Sequence, residues 1–309
     1  MRRGKPDVTP GKQGVTRSDT WQHGLTSVQQ QQVRSIADAA RLADGVAALS
    51  GHIVDALGSV DDSYLLIAEQ HRLVGLAARH AGDPAELLVH PDFRGRGFGR
   101  TLLTASLATA GRVWAHGNLP AAQALSSSLR LKPVRTLLQM RRPLPAEHTW
   151  KVPAGVRLRT FVPGQDEEQF LAVNGRAFAW HPEQGRLDAA GLAAELAQDW
   201  FDPKGFFLAV DAAGTVLGFH WTKVHAEDPT PQGDTDQSGP IGEVYVLGVD
   251  PQSPIRRLGE PLTAAGLEYL AAQGLSAVML YVECDNDKAR RLYERWGFRV
   301  AVTDVVYAR

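Results

Sequence analysis

The sequence has few cysteines, no long apolar run and almost no net charge. One cysteine, Cys284, among 309 residues excludes an intrachain disulfide and a cysteine-based zinc cluster, and it fits a reducing cytosol. Lys and Arg number 33 against 34 Asp and Glu, which argues against a nucleic-acid or membrane partner held by bulk charge. No apolar run reaches the roughly 18 residues of a membrane span, and the N-terminus lacks the roughly 7–15-residue apolar core of a signal peptide. We therefore expect a cytoplasmic protein that binds neither membranes nor nucleic acids.

The sequence is long enough for two domains, since an ordinary domain has about 150 residues. We expect residues 1–27, which are polar, to be a disordered tail. Residues 28–142 form the predicted first domain. Residues 143–153 form the predicted linker, within a polar stretch that contains three prolines. Residues 154–309 form the predicted second domain.

The spacing of apolar residues predicts a similar order of helices and strands in both domains. The first domain has helical spacing over 28–57 with a second helical piece at 51–57, strands at 64–69, 73–78 and 86–89, and a helix at 100–110. The second has helices at 165–178, 187–200, 260–273 and 287–296, and strands at 206–211, 216–224, 243–249, 278–283 and 299–307.

A segment of the first domain recurs in the second at an offset of 160 residues. Residues 89–99 and 249–259 share a valine, a proline, an arginine and a final glycine, and each segment follows a strand and precedes a helix. One helix and one strand further on, each copy has an asparagine, Asn118 or Asn286. The sequence therefore predicts a duplicated α/β domain, with an α+β mixed sheet in each copy.

The repeated segment has the composition of an anion-binding turn. Glycines let the main chain approach a ligand closely, and the backbone N–H groups and dipole of a helix N-terminus favour a phosphate. Arg96 and Arg256 can add charge-assisted hydrogen bonds.

At these residues the chain resembles the GCN5-related N-acetyltransferase (GNAT) family. Residues 94–99, RGRGFG, match the family's pyrophosphate loop, R/Q-x-x-G-x-G/A. The family's downstream pattern N-x-x-A-x-x-x-Y-x-x-x-G-F begins here at Asn286 and includes Tyr293. The resemblance implies two tandem GNAT domains that transfer acetyl from acetyl-CoA to an amine, without a metal.

The same resemblance assigns catalytic roles. Glu243 would accept the amine's proton, and Tyr293 would protonate the departing thiolate. The alternatives are an exposed strand-end carboxylate at Glu243 and a packed core aromatic at Tyr293. The backbone of residues 247–249 would meet the thioester, and Asn286 would bind the pantetheine arm.

The two copies differ in the parts they keep. Seven residues after Asn286 lies Tyr293, whereas seven after Asn118 lies Leu125, so the first copy lacks the tyrosine. The second copy has a damaged loop, with Pro254, Ile255 and Arg257 where the family prefers Gln or Arg, Gly and Gly. We therefore predict catalysis in the second domain and acetyl-CoA binding without turnover in the first.

Across nearly all of its length the chain further resembles the mycothiol synthases of actinobacteria. The specific segments are HPEQG at 181–185 and LYVECDN at 280–286. This resemblance implies a small-molecule substrate, cysteinyl-glucosaminyl-inositol, and a monomeric enzyme. It implies substrate contacts at Glu183, Lys223, Glu243 and Tyr281, although a solvated lysine and a loop carboxylate are the alternatives for Lys223 and Glu183. The resemblance also implies a substrate-binding glutamate shortly after residues 44–46. Gly51 and His52 lie there, so this contact is either missing or made by His52.

The acetyl-CoA contacts implied by the resemblance fall in both domains. In the first they are Leu87, Leu88, Val89, Gly95, Arg96, Gly97, Phe98, Gly99 and Arg100. In the second they are Leu247, Gly248, Val249, Pro254, Ile255, Arg256, Arg257, Leu258, Gly259, Glu260, Asn286, Asp287, Lys288, Ala289, Arg290 and Arg291.

Two other functions stay open from the sequence: a GNAT enzyme for another amine, such as a peptide N-terminus or an antibiotic, and a non-catalytic acetyl-CoA-binding protein. His220 and His225 have no ligand partner nearby in sequence, so we predict no metal. Cys284 is interpreted as a small core residue rather than a nucleophile. Residues 225–242 form an acidic surface loop, with a substrate lid as the alternative.

Overall fold

The chain divides into two units near Thr136. The computed structural model describes residues 15–17, 20–145, 149–181, 184–228 and 239–309. The first unit contains the described residues up to Thr136 together with Thr303–Arg309, and the second contains Leu137–Val302. The last seven residues of the chain therefore belong to the first unit.

In the first unit, one sheet has the order β1-β3-β4-β5, with β2 also paired to β3. Strand β6 (Arg112–Ala115) pairs antiparallel with Val305–Ala308 near the end of the sequence. The elements are β1 (Val15–Arg17), β2 (Gln22–His23), α1 (Ser27–Asp44), α2 (Gly51–Asp55), β3 (Ser63–Glu69), β4 (Arg72–Arg79), β5 (Glu86–Val89), α3 (Phe98–Ala110), β6 (Arg112–Ala115) and α4 (Pro120–Ser128).

Two strands cross the division between the units, β7 (Lys132–Pro143) and β13 (Arg299–Ala308). Within the second unit the strand order is β7-β12-β11-β10-β9-β8. The remaining elements are β8 (Arg157–Thr160), α5 (Glu167–Ala177), α6 (Ala189–Leu196), β9 (Phe206–Val210), β10 (Val216–His225), β11 (Ile241–Val249), α7 (Gly259–Ala272), β12 (Ala277–Glu283) and α8 (Asp287–Arg295).

Local sequence explains where the helices begin. Thr26 and Gln29 form a capping box at the start of α1, which buries Val33, Ile36 and Ala40. Helix α3 begins at Phe98, directly after Gly97 with φ +87°. Only glycine adopts that conformation without strain.

Each unit contains a pair of parallel strands that separate soon after they meet. In the second unit β11 and β12 pair only over Gly242–Val244 and Val278–Leu280, although both strands continue. In the first unit the contact is reduced to a single bridge between Ala85, which directly precedes β5, and Val113 of β6. The separation leaves a wedge in which the backbone of one strand can meet a ligand.

Most predicted elements are confirmed, with differences at the edges of the domains. Residues 15–17 and 22–23 pair with β3 through main-chain hydrogen bonds, so this part of the expected disordered tail is ordered. The polar, proline-containing stretch that includes the predicted linker overlaps a strand, because β7 continues to Pro143 through backbone pairing with β12. The division at residue 136 and the C-terminal strand in the first unit also differ from the predicted domains, 28–142 and 154–309. No helix in the described ranges is long and apolar enough to cross a bilayer.

Candidate active site

The first unit has a cavity of about 530 Å³ at its glycine-rich loop. That volume suits a small-molecule ligand. Every predicted acetyl-CoA contact of the first domain lines it except Arg96, which instead pairs with Glu69 at 3.0 Å. Arg94 holds the loop in place through two 2.7 Å hydrogen bonds to Asp44. The structure thus brings these predicted residues, apart from Arg96, together around one cavity.

The loop of the first unit has the conformation that an anion cradle needs. Gly95 and Gly97 both have positive φ, at +74° and +87°. No side chain caps the start of α3, so its first N–H groups keep their hydrogen-bonding capacity for a ligand.

The loop of the second unit is built differently. Arg257 adopts φ +64°, a left-handed conformation that costs a side-chain-bearing residue energy. The Ser253 hydroxyl bonds the backbone of Ile255. Asp250 accepts hydrogen bonds from Arg176, as close as 2.6 Å, and this pairing holds its pKa below the ordinary value. The side chain of Leu258 is fully buried in the core, so only its backbone could contact acetyl-CoA.

Glu243 lies on β11 at the point where β11 and β12 separate. Its carboxylate is buried, and Oε2 lies 2.6 Å from His225 Nε2. The alternative of an exposed strand-end carboxylate is therefore wrong. Sequence reasoning did not assign His225 to the site, although its position two residues after Lys223 puts both side chains on one face of β10.

Lys223 is the cross-strand neighbour of Glu243. Its ammonium nitrogen lies 4.4 Å from the centre of the Trp200 ring and 5.2 Å from that of Tyr245. These aromatic faces favour the cation, so Lys223 is not a freely solvated strand-end lysine. The Tyr245 hydroxyl donates to Glu195 at 3.1 Å.

Tyr281 lies on the same face, on the part of β12 beyond the separation. Its side chain is 40% exposed, and its hydroxyl accepts a 2.9 Å hydrogen bond from Gln139. Arg141 donates to Gln139 at 2.8 Å and to both carboxylate oxygens of Asp228 at 2.6 Å. Sequence reasoning did not include Gln139 and Arg141 in the site, because β7 was not predicted.

Tyr293 is buried in the core of the second unit, with its ring 5.7 Å from that of Phe298. Burial raises its pKa above the ordinary value, so the phenol keeps its proton at neutral pH. Asn286 caps α8, since its side-chain oxygen accepts from the amide of Ala289 at 3.1 Å. Arg290 donates to the carbonyl of Cys284, which packs against the same core.

Glu183 lies outside the described residues, as do residues 229–238 of the acidic loop.

The structure corrects the comparison between Tyr293 and Leu125. A Cβ built on Gly99 would lie 3.5 Å from Leu125 Cδ2, and one built on Gly259 would lie 3.3 Å from Leu292 Cδ2. Leu125 therefore corresponds to Leu292. The next residues in the two helices are Ser126 and Tyr293. The carbonyl of each accepts a 3.0 Å hydrogen bond from the backbone amide five residues later in the sequence, that of Leu131 or Phe298. The counterpart of Tyr293 is therefore Ser126, because the helical segments are related by an offset of 167 rather than 168.

Ser126 is buried and lines the cavity of the first unit. The register of the parallel strands gives the counterpart of Glu243. Val244 pairs with Leu280, and Ala85 pairs with Val113, which the offset of 167 relates to Leu280. Ala85 therefore corresponds to Val244, and Pro84, which has no ionisable side chain, corresponds to Glu243. The first unit therefore has neither a buried carboxylate nor a phenol where the second has Glu243 and Tyr293.

The first unit has a different buried charge cluster beside its cavity. His116, which lines the cavity, lies 3.3 Å from Glu86 and 3.5 Å from Asp304. Burial opposes protonation of His116, but the two carboxylates outweigh it and raise its pKa to about 10. The backbone amide of Ser50 donates to Glu86 at 2.6 Å, and that of Gly117 donates to Asp304 at 2.7 Å. This cluster links α2, β5 and the C-terminal strand.

Two family models match the chain, one in each half. Residues 61–128 match the acetyltransferase (GNAT) domain, and residues 174–298 match the acetyltransferase (GNAT) family. Among solved structures, a GNAT enzyme from Sphaerobacter thermophilus has a TM-score of 0.68 at 21% identity, covering 94% of this chain and 95% of that one. A tandem GNAT protein from the clavulanic acid pathway has a TM-score of 0.65 at 17% identity, covering 94% and 98%. The duplicated fold with its glycine-rich loop and separated strands is thus that of a tandem GNAT N-acetyltransferase, a fold that implies the use of acetyl-CoA.

Curated relatives narrow this class. The mycothiol acetyltransferase of Thermobispora bispora is 49% identical over 292 residues, covering 91% of this chain and 96% of the relative. That of Mycolicibacterium smegmatis is 44% identical over 303 residues, covering 94% and 99%. The chain belongs to the mycothiol acetyltransferase family.

Proposed function

We propose that this enzyme transfers the acetyl group of acetyl-CoA to the cysteinyl amine of 1D-myo-inosityl 2-(L-cysteinylamido)-2-deoxy-glucopyranoside, which yields mycothiol. The substrate follows from the family. The observation that carries the chemistry is the buried Glu243 carboxylate, bonded to His225 at 2.6 Å beside the separation of β11 and β12.

Glu243 accepts the proton that the attacking ammonium must lose. Its bond to His225 fixes one carboxylate oxygen. We assign the other oxygen to the substrate ammonium or to an ordered water. The amine nitrogen then attacks the thioester carbonyl carbon, and a new C–N bond replaces the C–S bond.

The remaining steps are assigned to β11 and α8. Backbone N–H groups of residues 247–249 polarise the thioester carbonyl where β11 no longer pairs with β12. Tyr293, whose phenol stays protonated at neutral pH, supplies the proton to the CoA thiolate.

The substrate is a pseudo-disaccharide rich in hydroxyl groups, and the face around Glu243 has the complementary groups. Lys223 donates hydrogen bonds, and the half-exposed Tyr281 hydroxyl both donates and accepts them. We assign Lys223, Tyr281, Glu243 and Glu183 to substrate binding.

We further propose that the first unit binds acetyl-CoA without turnover. Its loop and cavity suit the ligand, while Ser126 and Pro84 replace the groups assigned to acid and base catalysis. In the second unit the positive φ of Arg257 weakens the loop but leaves backbone donors at the start of α7, which no side chain caps.

The reaction is followed by the loss of thioester absorbance near 232 nm. This signal is preferred to detection of free thiols, because the substrate itself carries a thiol. Cleavage is expected with the desacetyl precursor, and mass analysis after thiol alkylation should show an N-acetylated product with a free thiol. Cleavage with unrelated amines alone would support a different GNAT enzyme. Acetyl-CoA binding without cleavage would support a non-catalytic protein.

Glu243→Gln tests the assigned base. We expect kcat to fall by about 10²–10⁴-fold, with acetyl-CoA binding retained, because the amide cannot accept the proton. Asp83→Asn is the control, since it changes an exposed carboxylate of the first unit to an amide, and it should leave kcat unchanged. An equal loss in both variants would contradict the assignment of catalysis to the second unit.

A further inference from the structure

Three residues with metal-binding side chains meet in the first unit, away from its cavity. His80 Nδ1 lies 2.7 Å from Asp62 Oδ1, and the rings of His52 and His80 are 5.6 Å apart in an edge arrangement. One ligand atom from each of the three side chains lies within 4.8 Å of the others. From these contacts we propose that His52, Asp62 and His80 bind one divalent transition-metal ion of the Zn²⁺ type.

Secondary structure holds all three residues in place. Asp62 directly precedes β3 and His80 directly follows β4, and the neighbouring residues Ser63 and Arg79 are paired in the sheet. His52 lies in the first turn of α2, which is fixed by the hydrogen bond from the Ser50 amide to Glu86. A rigid scaffold lowers the cost of assembling ligands.

The burial of the carboxylate supports a cationic partner. The Asp62 side chain is 1% exposed, and a buried carboxylate is costly unless it is paired or coordinates a metal. His80 satisfies one carboxylate oxygen, while the other lies 3.4 Å from the Tyr64 hydroxyl, a weak contact because that hydroxyl also donates to Ala56 at 2.9 Å. A cation between the three side chains would neutralise this charge.

The donor set selects the class of ion. Two imidazoles and one carboxylate favour Zn²⁺, Co²⁺ or Ni²⁺ over Mg²⁺ and Ca²⁺, which prefer oxygen ligands. Tetrahedral bonds to Zn²⁺ place ligand atoms about 3.4 Å apart, so the His80–Asp62 contact would widen and His52 would move closer. His52 is exposed, so its ring can rotate, and water can complete the coordination.

A simple hydrogen bond between His80 and Asp62 would give the same 2.7 Å contact without a metal. The two explanations differ in the role of His52. His52 is a ligand if a metal binds, and it has no role in a simple hydrogen bond between His80 and Asp62. The sequence did not suggest the cluster, because its members lie 10 and 18 residues apart, without the short spacing of common zinc motifs.

The test uses the full-length, untagged, metal-stripped protein. Zn²⁺ binding is measured by calorimetry, and Co²⁺ binding by the visible absorption of a low-symmetry complex. We expect one ion per chain and at least about tenfold weaker binding in both His52→Ala and His80→Ala, since even outer-shell changes cost that much. Thermal unfolding should shift upwards with Zn²⁺ in the wild type and less in His52→Ala.

His71→Asn is the matched control, because it removes an exposed imidazole of the same unit at φ +64°, a conformation that asparagine tolerates. It should bind Zn²⁺ like the wild type. Absence of saturable binding in the wild type, unchanged affinity in His52→Ala, or equal loss in His71→Asn would each overturn the proposal. These readouts do not depend on acetyl transfer, so they stand apart from the proposed function.

Discussion

Tyr293 and Ser126 occupy equivalent places in the two units. Tyr293 has a phenol side chain, whereas Ser126 has only a small aliphatic hydroxyl. Tyr293→Phe keeps the packing against Phe298 and removes only the proton donor. We expect kcat to fall by about 10²–10⁴-fold with little change in KM for acetyl-CoA. Ser126→Ala should leave turnover unchanged. Steady-state rates of thioester loss at 232 nm measure both variants. If Tyr293→Phe turns over at the wild-type rate, another group protonates the thiolate.

His220 gives the second unit a pH dependence of its own. It is fully buried, and its Nδ1 bonds the carbonyl of Leu262 at 2.7 Å, while its Nε2 has no hydrogen-bond partner among the described residues. Burial lowers its pKa to about 4. Because the folded pKa lies below the unfolded one, the unfolded state binds the proton first, and stability falls as pH drops from about 6.5 to about 4.

We therefore expect the unfolding free energy of the second unit to be about 2 kcal/mol lower at pH 5 than at pH 7 through His220 alone. His220→Asn should remove most of that difference. Urea unfolding at both pH values measures it, with His71→Asn as the control for loss of an exposed histidine. An unaltered pH dependence in His220→Asn would show that other groups cause it.

At the scale of single residues, the sequence predicted the candidate site residues that belong to a family motif and missed those that do not. Glu243 and Tyr293 follow from fixed spacings around the loop and α8. His225 and Gln139 reach the site only through the alternation of side chains on β10 and β7 and through the pairing of strands distant in sequence. The register of a sheet brings such residues together, and no local pattern records it.

At the scale of elements, the two glycine-rich loops show how a duplicated segment diverges. Gly97 has φ +87°, and its counterpart Arg257 keeps the left-handed conformation at +64° with a side chain attached. The strain is tested by comparing Arg257→Gly with Arg257→Ala, since both remove the charge and only glycine removes the Cβ. We expect the glycine variant to be about 1 kcal/mol more stable in urea unfolding.

The same pair of variants tests access to acetyl-CoA. KM for acetyl-CoA should be lower in Arg257→Gly than in Arg257→Ala, because the backbone can then approach the pyrophosphate more closely. Equal stability and equal KM in the two variants would mean that the turn relaxes without cost.

Elements with strong periodicity were predictable, and elements formed by pairing were not. The helices after both loops follow from glycine punctuation and apolar spacing. Strand β7 has an exposed start, a buried middle and a proline end, so it lacks alternation, and β6 has only four residues. Each is a strand because its backbone pairs with a distant partner.

At the scale of the whole molecule, each unit depends on a strand that is remote in the chain. The first unit takes Thr303–Arg309 from the C-terminus, and the second takes Leu137–Pro143 from the segment that follows α4. The order of elements repeats along the sequence, but the chain segments do not separate at one boundary. The local pattern of helices and strands predicts the repeat. It cannot predict which remote strand completes the sheet of each unit, because strands from different parts of the sequence could pair with the same sheet edge.

Deletion of residues 303–309 tests the exchange. It removes the strand that pairs with β6, the Asp304 carboxylate beside His116, and the Tyr307 hydroxyl that donates to Asn118 at 2.9 Å. We expect the truncated chain to bind one acetyl-CoA fewer than the full chain in calorimetry, because Tyr307 also lines the cavity of the first unit. Turnover at the second unit should stay within a few-fold of the full chain. Asp304→Asn is the milder variant, since it removes only the charge that holds His116. If both chains bind equal amounts of acetyl-CoA, the C-terminal strand is not needed for the cavity.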